Sequence, residues 1–338
     1  MTRRPFVIAE AGVNHNGSDA LAVRLVDAAA DAGADAVKFQ TFRAEALAAA
    51  GAPKAAYQKT RGASRRESQL DMLKRLELSE KGHRLALARA KARGIRFLST
   101  PFDEDSADFL TRLGVPLFKL PSGEVTNHPL LRHVARKNRP VILSTGMCTL
   151  AEVRDAVAVL RRAGCRDLTL LHCVSNYPAD PKDANLRAMK TMADAFRLSV
   201  GWSDHTTGTA VSVAAVALGA AVIEKHFTLD KSLPGPDHAM SLEPKELKVF
   251  VAALREAAVA LGDGVKRPRP CEEPIRRVAR RSLVLRAPLP KGARLTAADL
   301  TSKRPGTGLP PSRLAAVVGR RLRRATPADR PLRPGDLS

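Results

Sequence analysis

Short apolar runs alternate with longer amphipathic stretches eight times before Gly262. The runs are Phe6–Ala11, Ala36–Phe39, Ile95–Ser99, Leu117–Leu120, Val141–Ser144, Leu168–Cys173, Leu198–Ser203 and Val222–His226. Four directly follow a Gly or Pro, and the apolar, β-branched texture of the runs is that of strands buried on both faces, as in a parallel sheet. Between them, Ala20–Ala32, Leu85–Arg93 and Val153–Ala163 read as helices rich in Ala and Leu. Thr149 and Glu152 have capping-box spacing ahead of the third, and Gly164 stops it. Eight β-α units in a segment of this length predict an α/β fold, a TIM (β/α)8 barrel over residues 1–263. An open doubly wound sheet is the other arrangement of such units. No G-x-G-x-x-G follows the first strand, so its dinucleotide-binding form lacks its fingerprint.

Each apolar run ends in polar side chains. In order these are Glu10; Lys38 and Gln40; Ser99 and Thr100; Lys119, Ser122 and Glu124; Ser144 and Thr145; Ser175 and Tyr177; Ser203 and His205; Glu224 and His226. Packing alone requires no such pattern. Residues two apart on a strand face the same way, so Lys38/Gln40, Ser203/His205 and Glu224/His226 each share a face. The C-terminal mouth of the barrel thereby gathers lysines, hydroxyls, carboxylates and imidazoles, where barrel enzymes keep their sites. Gly201-Trp-Ser-Asp-His205 and Glu224-Lys-His226 close successive strands joined by one crossover, which brings His205 and His226 to the same edge as candidate ligands of one divalent ion. Trp202 reads as core, His172 as packing or support for the site, and Ser99, Thr145 and Glu224 as residues that orient neighbours. Asn14 and His15 either structure their loop or bind substrate.

Composition narrows the classes. The 338 residues are 44% hydrophobic but only 4% aromatic, so the core is built from Leu, Val and Ala. Much of the net charge of +22 lies after Gly264, where nineteen Lys/Arg face five Asp/Glu. That region contains no Phe, Tyr or Trp, so it has no stacking platform for single strands, and a solvated basic surface is expected rather than a nucleic-acid site. Cys148, Cys165, Cys173 and Cys271 show no C-x-x-C spacing, which fits reduced thiols in a cytoplasm better than a zinc ribbon or disulfide framework. Neither a signal peptide nor a membrane span is expected. The long connection Phe42–Glu77, with its basic run near Arg65, has the length of a functional lid. Residues 264–281, rich in Pro and Arg, read as a linker, and 282–338 as a small appended domain.

Ten motifs in order resemble the sialic acid synthase family, which includes synthases of N-acetylneuraminate, legionaminate and pseudaminate. They are Ile8-Ala-Glu-Ala-Gly-Val-Asn-His-Asn-Gly17, Val37-Lys-Phe-Gln-Thr41, Leu98-Ser-Thr-Pro-Phe102, Phe118-Lys-Leu-Pro-Ser-Gly-Glu124 and Leu143-Ser-Thr-Gly-Met147. The others are His172-Cys-Val-Ser-Asn-Tyr-Pro178, Gly201-Trp-Ser-Asp-His205, Glu224-Lys-His-Phe227, Pro234-Gly-Pro-Asp-His238 and Lys303-Arg-Pro-Gly-Thr-Gly308. The resemblance implies a C-terminal antifreeze-like (SAF) domain over 282–338 and a condensation of phosphoenolpyruvate with an N-acetylhexosamine that releases phosphate.

Under that reaction Lys38 and Lys119 suit phosphate and carboxylate charge, with Thr100, Ser122, Ser144, Ser175 and Ser203 as hydrogen-bonding partners. His205 and His226 would hold Mn²⁺, or Mg²⁺ or Co²⁺, with water and substrate completing the shell. Glu10 is the acid/base candidate. Gln40, Glu124, Tyr177 and Asp237 are candidates for the sugar, and the resemblance brings Arg304 to the N-acyl group from the partner of a domain-swapped homodimer. The leading expectation for the sugar is N-acetylmannosamine, giving N-acetylneuraminate. The alternative is a 2,4-diacetamido-trideoxy-mannose, giving N,N'-diacetyllegionaminate. Pro121–Glu124 and Pro234–His238 resemble these two branches more than the pseudaminate one. Other phosphoenolpyruvate-dependent synthases of deoxy-keto sugar acids would not need the appended domain.

Overall fold

A computed structural model describes residues 4–54 and 68–338. The chain forms two compact units, Met1–Asp263 and Gly264–Ser338. In the first, eight parallel strands are β1 (Phe6–Gly12), β2 (Ala36–Thr41), β3 (Arg96–Pro101), β4 (Phe118–Leu120), β5 (Val141–Ser144), β6 (Leu168–Cys173), β7 (Ser199–Asp204) and β8 (Val222–His226). They pair in the order β3-β2-β1-β8-β7-β6-β5-β4, with β3 lying beside β4, so the barrel is nearly closed. Helices follow the strands, from Asp19–Asp31 to Pro244–Ala260. The expected (β/α)8 barrel is present. Helix starts differ from the apolar periodicity because caps set them. Ser79 caps a helix that starts at Glu80, and the Thr149/Glu152 capping box starts one at Leu150.

Strand alternation sorts the barrel into layers. Side chains on the outer face, among them Val7, Ala9, Val37, Phe39, Phe118 and Trp202, form the main core with the helices. The inner face begins with an apolar plug of Ile8, Ala36, Leu98, Leu117, Ile142, Leu171 and Val222. Two residues further along β1, β2, β3, β4, β5 and β8 the same face carries Glu10, Lys38, Thr100, Lys119, Ser144 and Glu224. Gly201 is needed in β7 because a Cβ there would lie 2.3 Å from the Val222 carbonyl oxygen. The plug therefore closes the barrel beneath a polar layer, and the chemistry sits on top of it.

The long connection after β2 holds a short helix Ala44–Leu47 and a helix Gln69–Leu76 started by a Ser68/Asp71 capping box. Val13, Phe42, Met72 and Leu76 pack into a separate apolar cluster. The basic run near Arg65 lies outside the described residues. In the second unit, β9 (Ser282–Leu285) pairs antiparallel with β10 (Leu300–Lys303) over a core that includes Leu283, Leu295, Val317, Leu322 and Leu332. Buried Asp336 accepts from Arg324 Nε at 2.8 Å and pairs with Arg330 at 2.7 Å. Residues 264–281, the expected linker, are exposed almost throughout, group with the second unit and include a helix, Glu273–Ala279. Pro274 in its first turn and Glu273 at its start favour that helix, signals masked by the Pro/Arg composition. No helix among the described residues is long and apolar enough to cross a membrane.

Candidate active site

A cavity of about 460 Å³ opens at the C-terminal mouth of the barrel. Glu10, Lys38, Gln40, Thr100, Lys119, Ser122, Ser144, Ser175, Tyr177, Ser203, His205, His226 and Asp237 all line it. Its charged floor is a buried chain of four groups. Lys38 Nζ lies 2.6 Å from Glu10 Oε2 and donates to Thr100 Oγ1 at 3.0 Å. Glu224 joins the two lysines, with Oε1 at 3.1 Å from Lys119 Nζ and Oε2 at 3.7 Å from Lys38 Nζ. Ser203 Oγ also donates to Glu224 Oε1, at 2.9 Å. Glu224 lines the cavity itself, as well as orienting its neighbours.

Environment pushes the two carboxyls apart. Burial, reinforced by the Glu224 charge and opposed by Lys38, lifts Glu10 to about 7. Burial also disfavours the ionised form of Glu224, but Lys119, Lys38 and the Ser203 hydroxyl overcome it and hold that group at about 2. One carboxyl is therefore a fixed anion between two ammonium groups, while the other is poised to exchange a proton near neutrality.

On the β4–β6 side, the turn after β5 supplies a cradle. Gly146 N–H donates to Ser122 Oγ at 2.8 Å, and Ser122 Oγ lies 3.2 Å from Cys173 Sγ. A Cβ on Gly146 would stand 2.3 Å from Ser175 Oγ, so the hydroxyls close around a bare backbone. Ser144 Oγ is buried with no hydrogen-bond partner among the described residues. An unpaired buried hydroxyl in a cavity that two lysines also line suits an incoming anion.

The imidazoles stand across the cavity with ring centroids 5.6 Å apart. His205 Nδ1 is 2.6 Å from the Val174 carbonyl oxygen, which can only accept, so Nδ1 carries the hydrogen and Nε2 keeps its lone pair. His226 Nδ1 is buried with no hydrogen-bond partner among the described residues, 4.0 Å from Asp237 Oδ2. Burial lowers His205 to about 4 and drives His226 well below the usual imidazole range, so both rings are neutral at pH 7. Two neutral imidazoles, one with its tautomer set from behind and one with an orphaned nitrogen, form a donor set that fits a divalent ion. No cluster of three or more His, Cys, Asp or Glu in metal-binding arrangement occurs among the described residues. The Tyr177 ring lies 4.1 Å from that of His205, centroid to centroid.

Asp237 is held by the loop that bears it. Its carbonyl accepts from Ser241 Oγ at 2.6 Å, and Asn14 Nδ2 donates to both Ser241 Oγ and the Phe227 carbonyl. Asn14 is thus a loop anchor, as is His238, whose Nδ1 lies 2.6 Å from Thr228 Oγ1. His15, fully buried, has Nδ1 accepting from the Gly17 N–H. Glu124 stands just outside the cavity lining, beside Ser122 and Gly123, and accepts from Asn127 Nδ2 at 2.6 Å. It ends a 3-10 turn, Ser122–Glu124, that follows β4. Arg304 is exposed in the second unit. Sequence reasoning missed the apolar wall of Val13, Leu47, Met72, Leu73, Leu76 and Phe102, and also Cys173. The amphipathic period of Gln69–Leu76 was the available signal for Met72 and Leu76.

Residues 25–266 match the NeuB family and residues 280–338 a SAF domain. The chain is 54% identical over 321 residues to the N,N'-diacetyllegionaminic acid synthase of Legionella pneumophila, covering 94% of this chain and 90% of that protein. It is 37% identical over 325 residues to the Homo sapiens N-acetylneuraminate-9-phosphate synthase, covering 94% and 88%. A solved N-acetylneuraminic acid (sialic acid) synthetase from Leptospira borgpetersenii, in complex with citrate, superposes with a TM-score of 0.71 at 35% identity, covering 81% of this chain and 90% of that one. With the barrel, its polar mouth and the appended unit all accounted for, the chain belongs to the NeuB family and carries a C-terminal SAF domain.

Proposed function

We propose that the chain is an N,N'-diacetyllegionaminate synthase, joining phosphoenolpyruvate to a 2,4-diacetamido-trideoxy-mannose with release of phosphate. The observation that carries the reaction is the cavity floor, where two buried lysines and a ring of hydroxyls face two neutral histidines. The sugar follows from the higher identity to the Legionella enzyme than to the neuraminate-type relative. This favours the alternative sugar over N-acetylmannosamine.

Lys38, Lys119 and the hydroxyls of Ser122, Ser144, Ser175 and Ser203 bind the phosphate and carboxylate of phosphoenolpyruvate. His205 and His226 would hold a divalent ion, Mn²⁺ in the first instance, which when bound would supply Lewis-acid polarisation of the open-chain aldehyde. The enol methylene carbon forms the new bond to that aldehyde carbon, and water adds at the adjoining carbon. The resulting tetrahedral species loses phosphate by C–O cleavage. Glu10, poised near neutrality, takes or returns the protons of these steps. Gln40, Tyr177 and Asp237 orient the sugar. Arg304 of a second copy, in a domain-swapped homodimer, completes the site at the N-acyl group. The test is phosphate release from phosphoenolpyruvate with 2,4-diacetamido-2,4,6-trideoxymannose, N-acetylmannosamine and N-acetylmannosamine 6-phosphate as acceptors. The first should have the highest kcat/KM. Preference for either of the others would overturn the sugar assignment, and no turnover with any would overturn the synthase reading.

A further inference from the structure

Directly behind the two histidines, on the outer face of the barrel, lies a second buried ion pair. Asp204 precedes His205 on β7 and Lys225 precedes His226 on β8, and the two residues are register partners. Their side chains are 0% and 2% exposed, with Nζ 3.0 Å from Oδ2. This layer is otherwise built from residues such as Val200, Trp202, Ile223 and Phe227.

The pair is fully engaged. Asp204 Oδ2 also accepts from Ser212 Oγ at 2.6 Å, and Oδ1 accepts from Thr206 N–H at 2.8 Å and Thr206 Oγ1 at 2.7 Å. Lys225 Nζ donates to the Thr206 carbonyl and lies 5.9 Å from the centroid of the Phe250 ring. The bond from Thr206 N–H to the Asp204 carboxylate closes an Asx turn whose central residue is His205. Lys225 pins that same carboxylate from the strand that carries His226. One buried contact therefore fixes the backbone at both imidazoles. A buried ion pair is a weak source of stability, and apolar residues of similar volume often replace one without loss. Stability alone gives little reason for its place here.

We propose that Asp204 and Lys225 are positioning residues that set the spacing and orientation of His205 and His226 for a divalent ion. This rests on the metal reading above. The Asx turn holds His205 where its Nδ1 meets the Val174 carbonyl, and the lysine locks that turn to β8. Loss of the pair leaves the fold standing and the imidazoles loosely placed.

The test compares the native chain with the double variant Asp204→Leu/Lys225→Met, which removes both charges together. Mn²⁺ affinity is measured by titration calorimetry without substrates, and the Nδ1–H resonance of His205 by ¹H–¹⁵N spectroscopy of metal-free protein. The expected result is cooperative unfolding, a Mn²⁺ dissociation constant raised about 10- to 100-fold, and loss of the sharp Nδ1–H signal. A folded double variant that binds Mn²⁺ within twofold of native overturns the proposal. Should the double variant fail to fold, Asp204→Asn decides by the same measurements, since it keeps an acceptor for Thr206 N–H but breaks the ion pair. A severalfold weaker affinity supports positioning, and unchanged affinity overturns it. If the native chain binds no Mn²⁺, the metal reading fails on its own. The His205 resonance then decides: an unchanged signal in the variant overturns the positioning role, and a lost one supports it.

Discussion

Gly146→Ala probes the anion cradle with a single carbon. The new Cβ would stand 2.3 Å from Ser175 Oγ, 2.8 Å from Cys173 Sγ and 3.1 Å from Ser122 Oγ. Cys173 is buried in β6 and has little room to retreat, so Ser175 must swing aside and Ser122 must shift. Overpacking of this kind costs about 1–3 kcal/mol. A lost hydrogen bond to a charged ligand is worth about 1.5–3 kcal/mol. If the Ser175 contact to phosphoenolpyruvate is lost, that corresponds to a rise of about 10- to 150-fold in its KM. Steady-state phosphate release at saturating sugar measures it, with a melting curve to confirm the fold. A folded Gly146→Ala enzyme whose KM for phosphoenolpyruvate stays within twofold of native would refute this placement of the anion.

Chelation should abolish turnover and Mn²⁺ restore it, while His205→Ala and His226→Ala fold but lose activity by at least about a thousandfold, Lewis-acid stabilisation being worth several kcal/mol. Full turnover in verified metal-free protein contradicts this. Glu10, raised from 4.5 to about 7, keeps a proton in the folded chain that the unfolded chain has released. Its contribution to stability is complete below about pH 4.5 and is lost as pH rises through about 7. Native stability should therefore fall relative to Glu10→Gln across that window, and a constant difference in melting temperature would show that Glu10 is not raised. For the proposed swapped dimer, mixing inactive Glu10→Ala and Arg304→Ala should recover up to roughly a quarter of native activity, because half the dimers are mixed and half their sites are whole. No recovery from demonstrably mixed dimers rules out action of Arg304 in trans.

The eight apolar runs and their polar ends were enough to read the barrel and most of its mouth. A strand's two-residue period decides which side chains share a face, and parallel topology brings all eight C-terminal ends together whatever the intervening helices contain. That is why Glu10, Lys38, Lys119, His205 and His226 were legible. Glu124 lies in a 3-10 turn beyond β4, where the strand period no longer says which way a side chain faces. The helix Glu273–Ala279 was hidden for a related reason, its capping signals being local while composition is averaged over a window. What only tertiary structure decided is how charges combine. Glu10 and Glu224 are the same side chain on adjacent strands, yet one is raised to about 7 and the other held at about 2, because Lys119 reaches Glu224 across the barrel interior and Ser203 reaches it from the neighbouring strand. The Asp204–Lys225 pair is likewise invisible as a pair in the sequence, where twenty positions separate its members. Periodicity assigns a side chain to a face, but the energy of a buried charge depends on distances of a few ångströms that only folding creates.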